Sequence, residues 1–271
     1  MDYSYLTIDE VRTDLGETGA DATWLDFVKT GTQLTEVAFW GNMFVPLTET
    51  RSFDGPGGIG LDTPNLLSSA PTVINDGLTL AAGDIVLYPR YRRWLDGPYS
   101  RIEVEPDATG LTAWTTERNN ITVAGKWGWY DKTAIITGAT VQDAVNQAAG
   151  STTLTVQTGK IKVGHLLLIG TELEFVTAVT IGATDTCTVV RGVLGTTDAA
   201  HANGTQINRQ AVPDGVHWTA KSITASLWKR AKSGFTGRTV VPELGQINLF
   251  DVMPKEVVKE LSRQYRPEVI V

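Results

Sequence analysis

Five strand-like runs crowd into residues 152–208: Thr152–Val156, His165–Ile169, Glu172–Val179, Thr186–Arg191 and Thr205–Asn208. β-Branched residues dominate them and Gly/Thr/Asp turns separate them, with almost no helical period between. That density dictates a small all-β module, bounded at about 139 and 211. Just inside its start, Ala139–Ala149 reads as a short helix.

The module gives way to the opposite texture. Over Pro213–Gly234, apolar residues fall at Val216, Ala220, Ile223, Leu227 and Ala231. Those steps keep one face on one side of a helix, which must be buried. Trp218 and Trp228 flank the stripe and widen it, while Lys221, Lys229, Arg230 and Lys232 lie off it. Gly234 is placed to end the helix. At the other end of the chain, Thr7 and Glu10 have the spacing of a capping box, which predicts a helix to about Leu15. Asp21 is placed to cap a second helix from near Thr23, weakened at Thr30-Gly31-Thr32. A last helix is predicted near Pro254–Tyr265, with Val257, Leu261 and Tyr265 on one face.

Between these, Thr48–Phe53, Asn65–Leu67, Ile85–Tyr88, Arg101–Glu105 and Asn120–Tyr130 read as strands, separated by turn clusters such as Asp54–Gly58 and Asn75-Asp76-Gly77. The fold class expected is α+β: a helical core with a small β-sheet region, interrupted by an inserted all-β module, a small barrel or sandwich. The discontinuous core would take 1–138 and 212–271, and the insert 139–211. An insert must leave its host's core intact, so strand 120–130 and helix 213–234 are expected to be direct neighbours.

Composition excludes several classes. Lys and Arg number 23 against 30 Asp and Glu, a net charge of −7, which argues against a general nucleic-acid binder. The longest aliphatic run, Leu166–Ile169, is far short of the roughly 20 apolar residues that cross a bilayer, and no membrane partner is expected. The first residues lack the basic start and apolar core of a signal peptide, which predicts folding where the chain is made. The single cysteine, Cys187, excludes an internal disulfide and reads as a packing residue.

Motifs for chemistry are absent. Gly234–Thr239 is too short for a phosphate loop and carries Arg where Lys is needed, and Gly55–Gly60 has no dinucleotide register. His165, His201 and His217 stand in no metal-binding frame, so packing or surface roles are favoured, with no metal and no cofactor. Nothing singles out a carboxylate pair, and no nucleophile elbow is present. The chain is not expected to be an enzyme. One basic cluster stands out, Arg90, Arg92 and Arg93 interleaved with Tyr91 and Trp94, with Arg101 on the next strand. Contact with a neighbouring subunit or partner is favoured there over single-stranded nucleic acid or a solvated face.

The order of Asn65-Leu66-Leu67-Ser68, Val86–Arg90, Ile121–Trp129, then Val212-Pro213 leading to Leu227-Trp228-Lys229-Arg230, and Met253–Val257 with Tyr265-Arg266, resembles the head–tail connector family of tailed bacteriophages, also called adaptor or head-completion proteins. The resemblance covers about 1–135 and 212–271. Within the insert, Leu168–Glu172, Val189–Thr197 and His201–Thr205 resemble a repeat of phage virion proteins. There the glycines read as turns, and His201 as a turn or packing residue.

The resemblance implies a homo-oligomeric ring, commonly a dodecamer, in the virion neck. It would be assembled in the host bacterial cytoplasm and bound beneath the portal protein, with a tail-proximal neck or tail terminator protein on its other side. DNA would pass through its lumen without sequence-specific binding. Lys255, Val257, Leu261, Tyr265 and Arg266 are the expected portal contacts, and Arg90, Arg92 and Arg93 the expected inter-subunit or lumen contacts. The alternatives are a tail or baseplate protein whose β-module binds a host-surface glycan or receptor, and a virion-associated hydrolase using carboxylates.

Overall fold

The computed structural model describes residues 2–18, 20–89, 98–105, 111–143, 146–232, 238–241, 245–248 and 259. The helical core expected from the sequence is not what the chain builds. Among the described residues there are three α-helices against seventeen strands, most of them in two large antiparallel sheets. In chain order they are α1 (Ile8–Leu15), α2 (Asp21–Ala38), β1 (Leu47–Phe53), β2 (Gly60–Leu66), β3 (Thr72–Asn75), β4 (Leu78–Leu80), β5 (Ile85–Pro89), β6 (Tyr99–Val104) and β7 (Ile121–Trp127). There follow β8 (Lys132–Thr140), β9 (Asn146–Gln147), β10 (Thr153–Gln157), β11 (Leu166–Ile169), β12 (Glu172–Thr180), β13 (Thr184–Val190), β14 (His201–Ala202) and β15 (Gln206–Ala211). Last come α3 (Asp214–Lys232), β16 (Arg238–Val241) and β17 (Gly245–Asn248).

These elements form two compact units. Met43–Asp131 makes one, and the chain before it joins the chain from Lys132 onward in the other. The expected boundaries at 139 and 211 both fall inside the second of these, where β8 and β15 are adjacent strands of one sheet. Strand β7 and helix α3, expected to be neighbours, belong to different units. Within its own unit α3 packs on α2 and α1.

In the unit of 43–131, β7 pairs antiparallel with β1 along its whole length and with β3, β4 flanks β3, and β2, β6 and β5 complete the seven-stranded sheet. Val73, Ile102, Ile121, Val123 and Trp127 are buried in its core. Trp127 donates from Nε1 to the Glu49 carbonyl at 3.0 Å, and the Arg51 guanidinium lies 4.2 Å over its ring. Gly128, at φ 145°, turns the strand where a Cβ would meet the Val45 carbonyl at 2.7 Å.

In the other unit the helices form one layer. The Thr7–Glu10 capping box closes as the sequence dictates, Thr7 N donating to Glu10 Oε2 at 2.7 Å. Asp21 does not cap α2; it accepts from Arg12 at 2.6 Å, and Ala20 stands at the cap. Thr30-Gly31-Thr32 does not break α2, because the sequence there serves packing. A Cβ on Gly31 would stand 1.9 Å from Thr224 Oγ1, so glycine lets α2 and α3 approach closely. Trp24 stacks on Trp228 at 4.0 Å between centroids, while Trp218 is 45% exposed and does not widen the buried stripe.

The β-rich stretch is a six-stranded sheet in the order β10-β13-β12-β11-β15-β8. Val141 bridges Val156, and Gln142 N donates to the Thr155 carbonyl at 2.8 Å, so the sheet curls until its two ends meet. Alternate side chains point inward to a core of Val141, Leu154, Val156, Leu167, Val176 and Ile207, with Cys187 among them. Burial pushes the Cys187 thiol up to about 12, so it stays a neutral packing group. The described residues of Ala139–Ala149 form no helix: they hold the end of β8 and β9, which pairs with β14 as a two-stranded ladder.

Candidate functional site

The expected portal contacts, Lys255, Val257, Leu261, Tyr265 and Arg266, and the expected inter-subunit contacts, Arg90, Arg92 and Arg93, lie outside the described residues. Arg101, read from the sequence together with that basic cluster, pairs with Glu103 at 2.8 Å on β6. What the structure does bring together is a group of ionisable residues in and beside the segments 168–172, 189–197 and 201–205. Glu172 and Glu174 stand two apart on β12 and so share one face of the strand. Arg191 follows β13, Asp198 lies in the next loop, and His201 opens β14.

All but Asp198 are buried, and Glu172 and Glu174 are completely so. Their hydrogen bonds are divided unequally. Glu172 accepts from Arg191 Nε at 2.8 Å and NH2 at 2.7 Å, and from the backbone amides of Gly192 at 2.9 Å and Ala199 at 3.0 Å. His201 Nε2 lies 2.9 Å from the same carboxylate. Burial works against this charge, but the Arg191 fork, the two amides and His201 outweigh it and hold the carboxyl down to about 2.

Glu174 has one hydrogen bond, from Gln147 Nε2 at 3.2 Å. Its Oε1 lies 3.0 Å from Arg191 Nε, within ion-pair distance, yet that N–H is aimed at Glu172 and leaves Oε1 without a hydrogen bond. Burial therefore dominates and pushes Glu174 up to about 7, with the Gln147 amide and Arg191 only partly offsetting it. Arg191 also donates to the carbonyls of Ala148 and Ser151, both at 3.2 Å.

Glu172, Glu174 and His201 converge within 4.8 Å, a spacing that a cation could use. The guanidinium of Arg191 already occupies the space against both carboxylates, with its donors spent on Glu172. Two carboxyls pushed apart in pKa also form the pattern of a general acid and base, but these are sealed from solvent and bonded to one another's neighbours. The arrangement holds the fold.

The other histidines serve similarly. His165 accepts at Nδ1 from Lys162 N at 3.1 Å, and burial pushes it down to about 4. His217 lies 3.4 Å from Glu10. A cavity of about 350 Å³ opens between the start of α1 and the end of the barrel, floored by Ile8, Ile161 and Val163. Its rim carries the ion pairs Arg12–Asp21 and Lys162–Asp9. In the sequence, Glu172, Arg191 and His201 stood in the three segments grouped by the repeat resemblance, but nothing there signalled that their side chains meet.

No protein-family model matches this chain, and no curated protein or solved structure matches it. Among the described residues no helix is long and apolar enough to cross a membrane.

Proposed function

We propose that the chain is a structural virion protein of a tailed bacteriophage, a head–tail connector that assembles as a ring beneath the portal and extends the DNA channel toward the tail. The mostly β architecture departs from the helical core that the family resemblance implies, so the reading rests on motif order and on where the motif residues go. The observation that carries it is the convergence of Glu172, Arg191 and His201, one from each segment of the virion-type repeat, into one cluster whose bonds are largely filled from within. Polar residues spent in this way stabilise architecture rather than turn over a substrate.

Large apolar side chains left outside on the helices, Leu34 and Val37 on α2 and Trp218 on α3, support contact with further chains. Closed rings arise from such repeated heterologous contacts. Portal, tail-proximal neck protein and passing DNA are the partners this reading names. Negative-stain microscopy of the protein mixed with its portal should show a ring stacked on the portal. Isolated monomers beside bare portals would overturn the reading. Removing 254–271 should abolish that stacking while the protein stays folded.

A further inference from the structure

We propose that the cluster is a proton-operated clasp: Glu174 is carried as a neutral carboxylic acid, and its ionisation releases the β9–β14 ladder and the 191–199 loop from the barrel. The proposal begins from a count of donors and charges. Glu172 takes four hydrogen bonds from Arg191, Gly192 and Ala199 and a further contact from His201, whereas Glu174 takes one. Arg191 faces three carboxylates, since Asp198 Oδ1 is also 2.9 Å from its NH2. One guanidinium cannot neutralise all three, and the carboxylate with the fewest donors is the one that keeps a proton.

The groups around Glu174 leave no other way to balance it. Gln147 on β9 is a neutral amide, and Cys187 on β13 is a buried thiol held neutral. His201 on β14 lies 3.6 Å from Glu174 Oε1 but is closer to Glu172, at 2.9 Å. Lys29 of α2, which also packs on β12, lies over Phe175, whose side chain points to the other face of the strand.

The ladder is the part that can yield. β9 and β14 are two residues each and are tied to the barrel through Gln147 to Glu174, His201 to Glu172, and the Arg191 bonds to Ala148 and Ser151. An ionised Glu174 gains solvation only if those ties part and water enters. The sign follows from linkage. Glu174 in the closed clasp titrates well above its ordinary value, near 7. The closed form is favoured below the ordinary carboxyl range and loses ground as pH rises toward 7, by up to about tenfold in the opening equilibrium per pH unit.

Amide hydrogen exchange of the full chain between about pH 5 and 8.5, corrected for intrinsic rates, tests this on peptides covering 146–157 and 191–203. Protection should fall on the order of tenfold per unit up to about pH 7 and level off above it, and Glu174→Gln should remove the slope. Protection that is flat in the wild type, or a slope that survives Glu174→Gln, would overturn the clasp. Infrared spectra give a second reading that needs no variant to fold. A protonated-carboxyl band should be present at about pH 6 and lost at about pH 8.5, and its absence at pH 6 would equally overturn the proposal.

Discussion

Three polar contacts tie α1 and the turn after it to α3: Glu10 to His217 at 3.4 Å, and the ion pairs Asp14 to Lys221 at 2.6 Å and Glu17 to Lys232. All of them reach solvent, whereas Glu172 and Arg191 in the barrel are sealed from it. The helical layer is held by packing, Trp24 on Trp228 and Gly31 against Thr224, and its charges are trimming. In the barrel, the charges close the structure over the apolar core. A charge therefore matters to stability by what surrounds it, and the two regions should answer mutation differently.

The largest effect should come from Arg191→Met. It leaves Glu172 and Glu174 buried without a cation and should cost about 3–5 kcal/mol in urea unfolding. A loss under about 1 kcal/mol would mean that the cluster opens to water readily. In the helical layer the sharpest cost should come from packing. Gly31→Val forces side-chain atoms into Thr224 and should cost about 1–3 kcal/mol, measured in the same way. Neutral behaviour there would show that the helices can separate without loss.

How much of this was legible beforehand depended on what each element presents to solvent. Helix α3 and the strands β10 and β13 were read closely because each buries one clear face, and β11 and β12 because their apolar runs are bounded by turn residues. Strand β8 was missed. It leaves Ile135 75% exposed, and its register breaks between Ile135 opposite Asn208 and Thr140 opposite Gln206. The surplus residues loop out, and Gln206 Nε2 reaches the Ala139 carbonyl at 3.0 Å, so no period of two survives. β3 and β4 are four and three residues, too short to show a period, although the turn between them, Asn75-Asp76-Gly77, was recognised. The balance of classes went wrong for a related reason. Helical stripes are conspicuous in sequence, while short strands with half-exposed faces are not, so the helices were given too much of the fold. Glu172, Arg191 and His201 were each visible. Their meeting was not, since it depends on which strands lie side by side.

A gentler prediction concerns pH. Burial holds His165 neutral down to about 4, below its ordinary 6.5, so the unfolded chain takes up that proton first as pH falls. Stability from this group is complete above about 6.5 and is lost toward 4, by at most roughly 1.4 kcal/mol per unit. Glu174 acts in the opposite sense over much of the same window, so the wild type should show a shallow dependence. His165→Gln should then unmask falling stability as pH rises from about 5 to 7. The smallest effect should be Lys221→Ala, under about 1 kcal/mol and smaller still in high salt.

A double-mutant cycle tests most directly whether the cluster holds the fold as a unit, using Glu172→Gln and Arg191→Met measured by urea unfolding. Each single change should be strongly destabilising, and the double variant should lose clearly less than the sum, by at least about 1 kcal/mol, because each replacement removes the partner that the other leaves stranded. Losses that simply add would contradict the account, placing the two residues side by side in the barrel without mutual dependence.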